Sequence, residues 1–178
     1  MILIDDIRRT YDFTPGSTLK KVVTCWRSPG VHAVIVLRFG QWLKRQNVLI
    51  QAVLSLFYLA GFHRMRSKWG IEIPRETEIG SGFYIGHFGS IIISPETRIG
   101  KNFSISQNVT IGISGQGEKR GCPTIGSDVY VAPGAKIFGK ITIGNHVKIG
   151  ANAVVYKDIP DDVIVVLDPG FKLKPLER

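Results

Sequence analysis

Cysteine is scarce in this chain: Cys25 and Cys122 are its only two. They are too few for a disulfide framework and lack the close pairing of a metal site, so a reducing, cytoplasmic setting is expected. Histidine is also sparse, at His32, His63, His87 and His146. The N-terminus, MILIDDIRRTYDF, sets acids before its arginines and has no apolar stretch of signal length, so it reads as no secretory peptide. The longest apolar run, from Val48 to Phe62, is short for a membrane span and contains Gln51 and Ser55. Acidic residues are the other shortage: 14 Asp and Glu stand against 23 Lys and Arg.

The charge is uneven. Residues 1–70 carry eleven bases and three acids, net +8, whereas residues 71–178 are close to neutral at +1. A solvated basic face accounts for this, as does attraction to an anionic membrane surface or an acidic substrate. No nucleic-acid recognition motif accompanies the bases, so nucleic acid is not expected as a partner.

What the chain has in abundance is a period. A branched aliphatic recurs at Ile79, Ile85, Ile93, Ile99, Ile105 and Ile111, and again at Ile125, Val131, Ile137, Ile143, Ile149 and Val155. The spacing is six residues except for eight before Ile93 and fourteen before Ile125. Six fits neither a helix nor simple strand alternation, and predicts a parallel β-helix of hexapeptide repeats. A second inward position falls four residues after each landmark, at Phe83, Phe103, Val109, Val129, Ala135, Ile141, Val147 and Ala153. Gly follows most landmarks, where a turn is expected to need a residue without a Cβ. The expected divisions are a helical segment at 1–70, the β-helix at 71–160 and a tail at 161–178.

The front segment reads as one or two short helices around Pro15-Gly16, then a turn at Ser28-Pro29-Gly30. A helical stripe follows at Val31, Val34, Leu37, Trp42 and Leu43. The run from Val48 has two readings. It packs on the β-helix or on a neighbouring subunit, or it lies in a membrane interface with Trp42, Tyr58, Trp69 and the HRMRSK cluster at headgroup level.

Insertions into a solenoid map to its functional surface. The first break holds His87-Phe88-Gly89-Ser90; the second, Ile113 to Thr124, must project as a polar loop. A His beside a projecting loop suits a general base, and a solvent-facing turn residue is the plain alternative.

The segments GIEIPRETEIG, YIGHFGSIIIS, NVTIGISGQGEKRGCPTIG and GKITIGNHVKIGANAVVYKDIPDD resemble the serine acetyltransferase branch of the left-handed β-helix acyltransferases. The resemblance implies a homotrimer with active sites between subunits, acetyl-CoA as co-substrate, no metal, and direct attack by an acceptor hydroxyl. His87 falls on the base position, and Glu72 on the carboxylate position that orients it, where Asp is usual. The Gly112-Ile113 step matches the oxyanion position, with Ile113 replacing a Gly. Coenzyme contacts map to Pro133, Ala151, Tyr156 and Lys157. The usual phosphate-contacting Arg is missing from the C-terminal segment, with Lys172 or Lys174 as substitutes.

The acceptor pocket departs from the family. Gly86, Gly121 and Cys122 stand where Asp, Arg and His meet the charged ends of serine, and Arg120 lies one residue early. The variant IGHFG and the Cys-Pro loop end look more like surface-polysaccharide O-acetyltransferases. A sugar acceptor, on a surface glycan or its precursor, is therefore the first expectation, with possible peripheral contact at the inner membrane face. Serine O-acetylation is the alternative, and a non-catalytic scaffold the alternative of another class. Cys122 is expected to line the pocket rather than act as nucleophile. His146 is expected on a surface turn.

Overall fold

The computed structural model describes residues 2–167; Lys172 and Lys174 lie outside them. Four helices come first: α1 (Ile2–Phe13), α2 (Thr18–Arg27), α3 (Pro29–Leu43) and α4 (Val48–Trp69). The expected turn at Ser28-Pro29-Gly30 is instead the start of α3. Ser28 is the N-cap, its side chain accepting from the Val31 N–H at 3.4 Å, and Pro29 takes the first turn, where its missing N–H costs nothing. Asn47 caps α4 in the same way, and Gly70 ends it in the left-handed conformation at φ 60°.

The β-helix follows directly. Its first coil is β1 (Ile71–Glu72), β2 (Glu78–Ile79) and β3 (Tyr84–Ile85). The second is β4 (Ile91–Ile93), β5 (Arg98–Ile99) and β6 (Ser104–Ile105), and the third β7 (Thr110–Gly112), β8 (Thr124–Ile125) and β9 (Tyr130–Val131). The fourth is β10 (Lys136–Phe138), β11 (Thr142–Ile143) and β12 (Lys148–Ile149), and β13 (Val154–Val155) and β14 (Ile164–Val165) close the stack. Every third strand pairs in parallel, except that β12 pairs with β14, giving three sheets: β1-β4-β7-β10-β13, β2-β5-β8-β11 and β3-β6-β9-β12-β14.

The register repeats the sequence arithmetic. Ile93 lies opposite Ile111 and Ile125 opposite Ile143, the regular spacing of eighteen. Ile85 opposite Ile105 spans the His87 insertion, and Ile99 opposite Ile125 spans the long loop. At the far end Ile149 meets Val165, a coil two residues short of regular. Strand β14 therefore sits within the stretch expected as tail, because its backbone still finds partners on β12 beyond residue 160.

All twelve landmark aliphatics are buried. So are the second inward positions except Ile141, which is only partly buried between β10 and β11, where its carbonyl accepts the Thr124 N–H at the end of the long loop. Ala33, Val34, Leu37 and Met65 of the helices join the same core, so helices and β-helix share one apolar interior.

The glycines after the landmarks have a different cause from the one expected. Left-handed turns are taken by Asn102, Asn108, Asp128, His146 and Asn152, with φ between 56° and 60°. Gly80, Gly100, Gly126 and Gly144 instead stack along one corner. A Cβ on Gly100 would stand 2.7 Å from the carbonyl carbon of Gly126, and one on Gly126 equally close to Gly144. Close approach of successive backbones, rather than turn conformation, excludes the side chain.

The helices close the open end of the solenoid, where the first coil has no neighbour to pair with. Arg38 donates to the carbonyls of Ile79 (2.7 Å) and Gly80 (2.6 Å), Gln41 to Thr77 (2.8 Å) and Arg9 to Gly82 (2.8 Å). Asp6, 1% exposed, holds Arg38 at 2.8 Å and accepts the Phe83 N–H at 2.7 Å. Part of the front segment's positive charge is thus used inside the protein, satisfying edge carbonyls that would otherwise be stranded.

Candidate active site

Strands of a parallel sheet share one direction, so turns entering the sheet lie along one edge and turns leaving it along the other. In the sheet β1-β4-β7-β10-β13 this sorts the candidate residues. The entry edge carries His87, between β3 and β4, with Pro133 and Ala151 on equivalent turns of later coils. The Asn152 N–H donating to the Pro133 carbonyl at 2.9 Å joins two of these turns. The exit edge carries Gly112 at the end of β7 and Ile113 just after it, Phe138 at the end of β10, and Tyr156 and Lys157 after β13. One chain therefore sets the candidate base and the candidate oxyanion donor at opposite edges of one sheet.

His87 is exposed, as is its neighbour Phe88, and the insertion ends at Ser90 with φ 51°, an uncommon conformation for a residue with a Cβ. Glu72 is half-buried on β1. Its carboxylate is paired with Arg66 of α4 (Nε to Oε2 3.2 Å) rather than with His87 among the described residues. Around it a cleft of about 580 Å³ is lined by His63, Arg66, Ser67, Gly70, Ser90 and Ile92. Sequence reasoning missed Arg66 as a site residue, reading it only as part of a basic cluster. Its signal was position in the last turn of a helix, six residues before Glu72.

At the exit edge the Ile113 N–H has no hydrogen bond within the described chain, and the space above Gly112 is open. The loop that follows is a closed hairpin. Ser114 and Gly121 exchange both backbone hydrogen bonds, at 3.1 and 3.0 Å, and Gly117–Lys119 forms a single 3₁₀ turn. Gly121 sits against Lys140, where a Cβ would fall 2.9 Å from the lysine's own. Cys122 is half-buried and its Sγ lies 3.1 Å from Ser94 Oγ, while Arg120 is exposed. Between hairpin and β10 runs a cleft of about 490 Å³ lined by Ser114, Lys119, Phe138, Lys140 and Tyr156 among others. The Tyr156 ring stacks on Phe138, with centroids 6.4 Å apart, and Lys157 lies over it at 5.6 Å. Gly86 is half-buried beside Tyr84, whose phenol is pushed above its ordinary value by burial.

A left-handed parallel β-helix of hexapeptide coils with one projecting loop defines a class, the hexapeptide transferases. The family described as bacterial transferase hexapeptide (six repeats) matches residues 122–157. Serine acetyltransferase of Helicobacter pylori strain 26695 is 41% identical over 151 residues, covering 84% of this chain and 82% of that protein. The Mycobacterium tuberculosis serine acetyltransferase is 35% identical over 166 residues, 93% of this chain and 69% of its own. The chain belongs to the serine acetyltransferase family. It spans only 58% of the Synechococcus elongatus relative, which is 35% identical. Among solved structures, Neisseria gonorrhoeae serine acetyltransferase in complex with serine gives a TM-score of 0.77 at 28% identity, over 98% of this chain and 67% of that one. Entamoeba histolytica serine acetyltransferase isoform 3, in complex with cysteine, gives 0.76 at 28%, over 99% and 60%.

Proposed function

We propose that the chain is an acyltransferase that moves the acetyl group of acetyl-CoA onto an acceptor hydroxyl. The hydroxyl oxygen attacks the thioester carbonyl, the carbon–sulfur bond breaks, and the acetyl ester and free CoA thiol are the products. His87 takes the hydroxyl proton and returns it to the departing sulfur. Glu72 orients and stabilises the imidazolium once it turns from Arg66, and the Ile113 N–H meets the charge that gathers on the carbonyl oxygen. The observation that carries this reading is the pairing of two breaks in the repeat with opposite edges of one sheet. A second copy set alongside would bring the His87 edge of one chain to the Ile113 edge of the next, so a homotrimer completes the site.

The exit-edge cleft fits the coenzyme. Tyr156 offers an exposed ring stacked on Phe138, and Lys119, Lys140 and Lys157 offer the cations that the missing Arg leaves wanting. Pro133 and Ala151 supply backbone contacts from the neighbouring chain's entry edge.

L-Serine is the acceptor this reading favours, because the relatives carry that activity in their names; they lend the sugar acceptor expected first no support. A neutral hydroxyl acceptor, such as a sugar, stays as a second reading on one observation. Gly86, Gly121 and Cys122 offer no charge to either end of an amino acid. Release of CoA thiol from acetyl-CoA, with L-serine or with neutral sugars, separates the two. His87→Ala is expected to lower turnover by about 10²–10⁴. Turnover indifferent to His87 would overturn the mechanism, and turnover with sugars but not with serine would replace the first reading by the second.

A further inference from the structure

Arg66 carries a charge that acetyl transfer leaves without a partner. Its Nε lies 3.2 Å from Glu72 Oε2, and no other carboxylate lines the surrounding cleft among the described residues. Yet Glu72 is the group that turns to the His87 imidazolium during transfer. Once it does, the guanidinium stands uncompensated beside the cleft, which is unfavourable unless another anion arrives. A base in the last turn of a helix is common, because it complements the helix dipole. Arg66 goes further than that role requires. Its Nη1 and Nη2 atoms have no partner among the described residues, so the two-pronged face that suits a carboxylate is free. The guanidinium carbon lies 5.8 Å from the centre of the Phe62 ring, which backs it with an apolar surface.

The cleft also adjoins the base. The Gly70 carbonyl accepts the Ile91 N–H at 2.8 Å, and a Cβ on Gly70 would stand 2.8 Å from the Ser90 nitrogen. The end of α4 therefore rests on the insertion that carries His87, and Ser90 of that insertion lines the cleft with Arg66. In the homotrimer proposed above, this edge faces the next chain. The cleft is then a wall of the shared site, and the free guanidinium face needs no open surface.

We propose that Arg66 selects acceptors that carry a carboxylate close to the reacting hydroxyl, a class that includes L-serine and the uronic acids. The acceptor carboxylate takes both Nη atoms, and its charge drives Glu72 from Arg66 toward the imidazolium. Acceptor binding thus completes the base, and a cation on a helix end stands in for the Arg that the loop lacks at Gly121. The proposal rests on acetyl transfer with His87 as base.

Matched acceptors test it: L-serine against ethanolamine, and D-glucuronate against D-glucose. Each would be titrated calorimetrically into the full chain with CoA present, and assayed for CoA thiol release from acetyl-CoA. In at least one pair the acid is expected to bind about 10- to 100-fold more tightly than its carboxylate-free partner, and that pair identifies the source. Arg66→Gln is expected to abolish the preference by raising the acceptor KM, with the acetyl-CoA KM unchanged, and Arg66→Lys to keep part of it. Binding of neither acid overturns the proposal, as does a preference that Arg66→Gln leaves unchanged. An acid that binds through Arg66 without being acetylated would support the carboxylate site and overturn the acetyl-transfer reading.

Discussion

Cys122 is the residue most open to misreading. A half-buried thiol on a loop beside a candidate active site invites a covalent acetyl-enzyme, but its neighbour is the hydroxyl of Ser94. No base or cation in that contact favours the thiolate, which is the reactive form. Direct transfer to the acceptor requires no such intermediate. Cys122→Ala is therefore expected to keep turnover within about tenfold, measured as CoA thiol release. Loss on the scale expected for His87→Ala, with an acetylated wild-type chain seen by mass spectrometry, would instead make Cys122 the nucleophile. His87 itself was legible because a lone histidine sat in a break of an otherwise regular period. Arg66 was not. It reaches Glu72 because α4 ends at Gly70 and the chain turns at once into β1, so its spacing from Glu72 becomes a signal only once that junction is placed.

At the scale of elements, the ion pair between α1 and α3 is the joint that holds the helices to the solenoid. Asp6 and Arg38 are both buried, and between them they serve three backbone groups of the first coil. Removing the carboxylate strands a buried guanidinium, and removing the cation strands two carbonyls as well. Asp6→Ala is expected to destabilise by about 3–5 kcal/mol in denaturant unfolding. A cost below about 1 kcal/mol would mean the joint contributes little. The corner of glycines gives a second test. Gly100→Ala forces a methyl against the backbone of the next coil, so about 1–3 kcal/mol of lost stability is expected, while Gly112→Ala, with open space around it, should cost far less. The strands and their register were readable in the sequence, because a buried position every six residues leaves its mark in every coil. The joint was not, since its two partners lie on separate helices and neither belongs to a repeat. Nor was the reason for the glycines, which depends on how closely one coil rests on the next.

For the whole molecule, the sorting of residues to two edges of one sheet has a consequence for mixtures of damaged chains. Each site would draw its base from one subunit and its oxyanion donor and coenzyme cleft from another. Two inactive alleles, His87→Ala and a Tyr156→Ala, Lys157→Glu double variant, ought then to rescue each other when co-expressed or unfolded and reassembled together. With random mixing, one interface in four pairs an intact entry edge with an intact exit edge, so activity should return to about a quarter of the wild-type value. The same variants mixed as preassembled oligomers, without exchange of subunits, should stay silent.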